Sequence, residues 1–178
     1  MIIKESGIAE IYTQSENSFS VGRVFCQNDA CAVFEDIDTQ GKVTGYYLMR
    51  KDIISKVDYH TEYLKKISKY MEFSEKHPYS NWFSLKSVVL NRENPLILQV
   101  LEYAEKENIV ITIEMAGVEE LEAGYVREIN SSQIIFSCID LSSARQLEEI
   151  TVAVDDIVFI EFESIDNILL QYANKELK

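Results

Sequence analysis

The sequence predicts an α+β, mainly β chain that forms two tandem five-stranded small barrels, each followed by an amphipathic helix. Three observations predict this fold class. Short apolar or alternating runs recur with turn residues about every 8–12 residues, which is typical of small barrels and sandwiches. Two stretches share one order of residues, and each is followed by a segment with helical periodicity.

Length and composition fit this organisation. The chain has 178 residues, of which 47% are hydrophobic, and its 17 Lys and Arg against 30 Asp and Glu give a net charge of −13. These values exclude a disordered, collagen-like or disulfide-rich protein. We expect residues 1–75 to form the first barrel and its helix, residues 76–94 a linker, and residues 95–178 the second barrel with flanking helices.

The first copy has five predicted strands, separated by turns such as Gln27-Asn28-Asp29 and Asp38-Thr39-Gln40-Gly41. The strands are Ile8–Thr13, Phe19–Cys26, Ala30–Ile37, Val43–Arg50 and Ile53–Val57.

The second copy repeats this arrangement, and its first strand, IVITIEM, is β-branched and alternates strongly. Its strands are Ile109–Met115, Glu122–Ile129, Gln133–Asp140, Glu149–Val154 and Ile157–Glu163.

The repeat rests on residues that recur at a nearly constant offset, which duplication explains best. The repeat-defining residues are Gly22, Asp38 and Asp52 in the first copy and Gly124, Asp140 and Asp156 in the second. We interpret Asp38 and Asp140 as turn residues that bind backbone amides, with an acid–base or metal-binding pair as the alternative. Asp52 and Asp156 are expected to cap a short helical turn between strands.

Three helices complete the prediction. Asp58 is expected to cap a helix over Tyr59–Phe73, and Pro95 to begin one that runs to Glu107. Ser164 is expected to cap Ile165–Asn174, whose apolar residues share one face. We expect this apolar face to be buried on its own barrel, on the other copy or on another chain.

A helix followed by five short strands, with Gly-x-Val in the second, resembles the Sm-like fold. Gly124 and Asn130 are similar to the glycine and turn residue of that family's first motif, as are Gly22 and Asn28. The resemblance implies assembly through edge strands.

The family's RNA-contact residues have no match in this chain. Ala32 and Ile134 stand where the family has a base-contacting Asn, and acidic pairs replace its Arg-Gly. We therefore expect the family's uridine pocket to be missing.

No catalytic residue, metal site or cofactor is predicted, because no nucleophile–base, HExxH, Walker or GxGxxG pattern occurs. Cys26 and Cys31 flank one turn and could form a metal or redox pair, but small buried apolar roles fit them better. His60 and His77 serve no motif. We expect the protein not to be an enzyme.

Tyrosines and lysines concentrate between residues 46 and 82, where a part of them could form an interaction surface while the rest pack in the core. The candidate residues are Tyr46, Tyr47, Tyr63, Lys65, Lys66, Tyr70 and Trp82. We expect a non-catalytic binding or assembly protein, with an RNA-binding regulator that uses the basic helix of the first repeat as the alternative.

Charge and hydropathy limit the partners. Residues 1–90 carry a net charge of −1 and residues 91–178 a net charge of −12, so nucleic acid is disfavoured and would bind the first half. We expect a protein partner or self-association. We expect no membrane association, since no apolar run approaches the roughly 20 residues of a membrane span. Without a recognisable signal peptide, we expect a cytoplasmic protein.

Overall fold

A computed structural model describes residues 3–14, 18–76, 88–118, 120–130 and 132–176. The chain divides into two compact units, Met1–Val88 and Val89–Lys178. No helix within the described residues is both long and apolar enough to cross a bilayer.

The first unit contains five strands and one helix. They are β1 (Ala9–Thr13), β2 (Phe19–Gln27), β3 (Cys31–Ile37), β4 (Val43–Arg50), β5 (Ile54–Asp58) and α1 (Glu62–Lys76). The strands lie in the order β5-β1-β2-β3-β4, and the ladders that join β5 to β1, β1 to β2, β2 to β3 and β3 to β4 are antiparallel.

The second unit begins with a helix and ends with one. Its elements are α2 (Leu96–Glu107), β6 (Val110–Met115), β7 (Glu122–Ile129), β8 (Gln133–Ile139), β9 (Gln146–Ala153), β10 (Ile157–Phe162) and α3 (Ile165–Glu176). A 3₁₀ turn, Val154–Asp156, separates β9 from β10. The strand order is β10-β6-β7-β8-β9, again antiparallel.

The predicted pair of closed, Sm-like five-stranded barrels is wrong. In each unit the five strands follow an open order, from β5 to β4 in the first and from β10 to β9 in the second. Closure of the first unit would need β4 and β5 to pair, yet they stand at opposite ends of its strand order. Barrel closure depends on tilt and stagger between strands that are distant in sequence, and local strand patterns carry no signal for it. The mainly β composition and the strands themselves are confirmed.

The two units share a strand register. In the first, Gly22 pairs with Asp36 and the β2–β3 ladder shifts just after Val24. In the second, Gly124 pairs with Cys138 and the β7–β8 ladder shifts just after Val126. A Cβ on Gly124 would clash with backbone atoms of the neighbouring strand β8, and a Cβ on Gly22 would clash with the Tyr47 hydroxyl from β4 and lie 3.0–3.1 Å from atoms of β3, so each glycine permits close contact.

Helix α1 begins later than the sequence predicts. Asp58 ends β5 opposite Glu10 and forms an ion pair with Lys56, so it does not cap the helix. Thr61 takes that role, since its hydroxyl accepts the backbone N–H of Leu64 at 3.1 Å. The predicted Ser164 cap of α3 is confirmed, because its hydroxyl accepts the N–H of Asn167 at 3.2 Å.

Each unit has its own apolar core. In the first, Leu64 and Ile67 of α1 pack against Val21 and Ile37 of the sheet. Phe19, the first residue of β2, is 37% exposed. In the second unit, α2 buries Leu96, Val100, Leu101 and Ala104.

Candidate interaction surfaces

The structure separates the predicted interaction residues. Tyr46 and Tyr47 are core residues, only 5% and 3% exposed, which corrects their assignment to a surface. Tyr47 stacks on Phe34 at 5.1 Å and Tyr46 packs on Phe25 at 5.0 Å, because β4 buries both of its faces at this point. Trp82 lies outside the described residues.

Tyr63, Lys66 and Tyr70 do come together, on one side of α1. The Lys66 ammonium lies over the Tyr63 ring at 4.4 Å and 5.9 Å from the centre of the Tyr70 ring. Positions i, i+3 and i+7 bring these side chains to one face of the helix. Lys65 points to the other side of α1 and pairs with Glu62 at 2.5 Å.

The sheet extends this group with three residues that sequence reasoning missed. Phe19 meets the edge of the Tyr63 ring at 5.3 Å and the Tyr12 ring at 5.3 Å, and Lys56 lies over Tyr12 at 5.1 Å. Tyr12 is the cross-strand neighbour of both Phe19 and Lys56. The sequence could have shown this grouping only if the pairing of β1 with β2 and β5, residue by residue, had been known. We call the set the aromatic–lysine row: Lys56, Tyr12, Phe19, Tyr63, Lys66 and Tyr70.

One residue of the row, Tyr12, is hydrogen-bonded to a buried carboxylate. Glu10 is 2% exposed and accepts hydrogen bonds from the Tyr12 hydroxyl at 2.8 Å and the Thr61 hydroxyl at 2.5 Å. The hydrogen bond to Glu10, with burial, raises the pKa of Tyr12 to about 12. Tyr12 therefore remains a neutral donor at physiological pH, and its ring is held in place within the row.

On the opposite side of α1 lies a cationic cleft of about 360 Å³. Lys4, His60 and Lys65 line it together with the hydroxyls of Thr61 and Ser68. Lys65 is already paired with Glu62, so the positive charge of the cleft is partly neutralised.

In the second unit, a groove of about 620 Å³ runs beside α3. Its apolar wall comprises Leu121, Leu141, Leu169, Leu170 and Ala173, and we call it the α3 groove. At its floor the Thr112 hydroxyl donates to Asn167 Oδ1 at 2.8 Å, so both buried polar groups are satisfied.

Helix α3 does not bury its predicted apolar face on its own unit: Ile168, Leu169 and Tyr172 are 40%, 55% and 66% exposed. Burial on another chain, one of the three predicted places, stays a prediction. The buried face carries Asn167 and Asn174 instead. Polar contacts with the strands and loops, described below, explain this orientation.

Strands β5 and β9, which each end the strand order of their own unit, differ in their protection. Strand β5 is short, five residues, carries Lys56 and has a register shift in its ladder with β1. Strand β9 has eight residues, most of them exposed, and contains neither Lys nor Pro; its charged residues are Glu148 and Glu149, and its ladder with β8 also shifts register. Because both ladders are irregular, the shortness of β5 and its Lys make β9 the less protected edge.

The recurring aspartates have local roles. Asp38 accepts the N–H groups of Gln40 and Lys42, both at 2.8 Å. Asp140 accepts both hydroxyls of Ser142 and Ser143 at 2.6 Å, and these hydrogen bonds lower its pKa to about 2.

The other recurring pair does not cap a turn as predicted. Asp52 forms an ion pair with Arg50. Asp156 is the last residue of its 3₁₀ turn, whose N-cap is Ala153.

The three cysteines are free and buried. Burial raises the pKa of the thiols of Cys31 and Cys138 to about 11. Within the part of the chain that the structure describes, no group of three or more His, Cys, Asp or Glu residues could hold a metal ion.

Comparison with known proteins adds no relative, since no family model, no curated protein and no solved structure matches the chain. The functional argument therefore rests on the surfaces described above.

Proposed function

We propose that this is a non-catalytic, cytoplasmic assembly protein that associates with further copies of itself through the edge strand β9. The observation that carries the proposal is that β9, the last strand in the order of the second unit, is eight residues long, mostly exposed and without Lys. Such an edge offers unpaired backbone N–H and C=O groups to a strand of another chain. Three reduced, buried thiols suit a reducing compartment.

The complementary strand is β5 of a second copy. It ends the strand order of the first unit, and its Lys56, which disfavours pairing of one β5 edge with another, complements Glu148 and Glu149, which are exposed on β9. Opposite charges across paired strands favour one partner over another. A β9–β5 contact is heterologous, so each added copy presents a new β9 edge and assembly continues beyond a dimer.

A duplication would explain why the units that provide β5 and β9 resemble each other. The units share strand order, glycine position and ladder shift. Gly22 pairs with Asp36 and Gly124 with Cys138, so both members of the pair recur 102 positions later. We infer that one ancestral unit was doubled, so that β5 and β9 each end the strand order of one copy.

Light scattering after size-exclusion chromatography, at rising protein concentration, tests the assembly. We expect masses above that of a dimer, and lower masses for the Glu148→Lys, Glu149→Lys double variant. Adding Lys56→Glu should restore assembly, whereas Glu128→Lys, exposed on β7, should change nothing. A chain that stays monomeric contradicts self-association, and a mass that stops at two copies contradicts the β9–β5 pairing.

The aromatic–lysine row supports a second candidate function, binding of single-stranded RNA. Its rings and ammonium groups follow one another at 4.4–5.9 Å, and it lies in the half of the chain with a net charge near zero. Bases stack on aromatic rings for about 1–3 kcal/mol each, and lysines meet the phosphates. With two lysines, the slope of log affinity against log salt should be about −1.4.

Fluorescence anisotropy with a labelled oligouridine tests this candidate. Lys66→Glu should abolish binding while Lys65→Glu leaves it intact, because these neighbours lie on opposite sides of α1. Phe19→Ala should weaken binding about tenfold. Equal losses from the two lysine variants, or no binding at low salt, would contradict RNA binding at the row.

A further inference from the structure

Helix α3 is attached to its unit by three amide side chains and by Leu170, which packs against a buried apolar cluster. Asn167 donates from Nδ2 to the Glu161 carbonyl at 3.0 Å, and Gln171 Oε1 accepts the Val110 N–H at 3.0 Å. Asn174 donates to the Ala144 carbonyl at 2.8 Å. The three amides are spaced i, i+4 and i+7, so they form one face of the helix, and that face is turned inward.

The opposite face is therefore apolar and turned outward. Ile168, Leu169 and Tyr172 share it, at spacings i, i+1 and i+4, and each is at least 40% exposed. The amide contacts determine which face is buried, so the outward residues contribute little to folding of the unit. An apolar helix face that its own unit leaves uncovered is typical of an interface.

The α3 groove continues this face. Leu169 belongs to both, and Leu141 and Leu121, 58% and 47% exposed, also line the groove. Helix α3 has 12 residues and is about 18 Å long, and an apolar groove beside a helix is a common binding site for an amphipathic helix.

The charge around this apolar surface has one sign. Glu161 and Asp166 line the groove, and none of its described lining residues is a Lys or Arg. The half of the chain that holds it carries 18 acidic and 6 basic residues. A ligand that seats there must bring positive charge together with apolar side chains.

We propose that α3 and the α3 groove bind a positively charged amphipathic helix of a partner protein. Its apolar side chains would pack between Leu141 and Leu169, and its lysines or arginines would face Asp166 and Glu161. A second copy is a poor occupant, because its own basic helix, α1, buries its apolar face in its own core at Leu64 and Ile67.

This site is independent of the β9 edge, so each proposal can fail alone. The probe is a labelled 18-residue peptide of Leu and Lys with Leu at helical spacing, and binding is read by fluorescence anisotropy and by gain of peptide helicity. A scrambled peptide of the same composition separates charge from amphipathicity, and a Leu and Glu peptide separates apolar contact from charge.

We expect the helical Leu–Lys peptide to bind and both comparison peptides to bind at least tenfold more weakly. Leu141→Ser and Leu169→Ser should each weaken binding about tenfold, and Asp166→Lys by a similar factor. Leu147→Ser, half exposed on β9 and away from the groove, should have no effect. These side chains are exposed, and circular dichroism should show unchanged folds.

Two results would overturn the proposal. Binding of the scrambled peptide as tight as that of the helical one would show attraction to charge alone. Equal losses from Leu147→Ser and Leu169→Ser would show that the peptide does not seat in the groove. Light scattering of the same samples reports the β9 assembly separately.

Discussion

Gly124 is the position where a single methyl group should be most damaging. It lies in β7 and pairs with Cys138 of β8. A Cβ there would overlap the Ser137 carbonyl oxygen and would lie 2.9 Å from the Ser137 carbonyl carbon and 3.0 Å from the Cys138 Cα. All three atoms are backbone, so the clash can be relieved only by separating the two strands.

The expected net cost of Gly124→Ala is about 1–2.5 kcal/mol of unfolding free energy. Overpacking of a well-packed interior typically costs about 1–3 kcal/mol, and a contact with backbone belongs at the upper end. Replacing glycine also reduces the entropy of the unfolded chain, which returns about 0.4–1 kcal/mol. The equivalent Gly22 faces the Tyr47 hydroxyl at 2.5 Å, the end of a side chain, so Gly22→Ala should cost less.

Urea unfolding followed by circular dichroism measures these differences. The urea concentration at the midpoint of unfolding should be lowest for Gly124→Ala, higher for Gly22→Ala and highest for the wild type. Glu149→Ala, an exposed residue that pairs with Ser137 from the other side, is the control and should change stability by less than about 0.5 kcal/mol. If Gly124→Ala is as stable as the control, the strands are not held as close as the register requires.

Three further predictions concern hydrogen bonds and protonation. Thr61→Val should cost about 1–2 kcal/mol in urea unfolding, because it removes a helix cap and one of the hydrogen bonds to buried Glu10. Asp140 has a lower pKa in the folded state, about 2, than its usual 3.8, so its stabilisation is complete above pH 4 and is lost as pH falls towards 2. Urea midpoints at pH 5 and 2.5 should differ less in Asp140→Asn than in wild type. Cys31 and Cys138, with thiol pKa values near 11, should resist iodoacetamide at pH 8 until urea unfolds the chain, as mass spectrometry would show.

Local patterns were sufficient for many of the elements. The predicted bounds of β4 and β7 match those observed, since each strand is flanked by turn residues that end it. The Ser164 cap was also visible, because capping involves groups only three residues apart.

The beginning of α1 shows where such local reasoning fails. Asp58 and Thr61 are both cap residues, and by residue type alone Asp58 is the better one. The choice is made by Glu10, which lies opposite Asp58 in the β1–β5 ladder and accepts the Thr61 hydroxyl. This contact joins residues 51 positions apart.

The candidate sites divide in the same way. Tyr63, Lys66 and Tyr70 could be grouped from helical spacing, whereas Phe19 and Lys56 join them only through cross-strand register. The alternation of strands likewise gave no means to distinguish buried Tyr46 and Tyr47 from exposed tyrosines on α1.

Amino-acid order by itself determined the strands, most helix limits and the recurrence of glycine and aspartate, because turns, caps and periodicity act over a few residues. Tertiary structure alone decided that the sheet stays open and that α3 turns its amides inward. Both outcomes depend on hydrogen bonds between distant segments, such as the bond between Gln171 and Val110, and no local pattern encodes those partners.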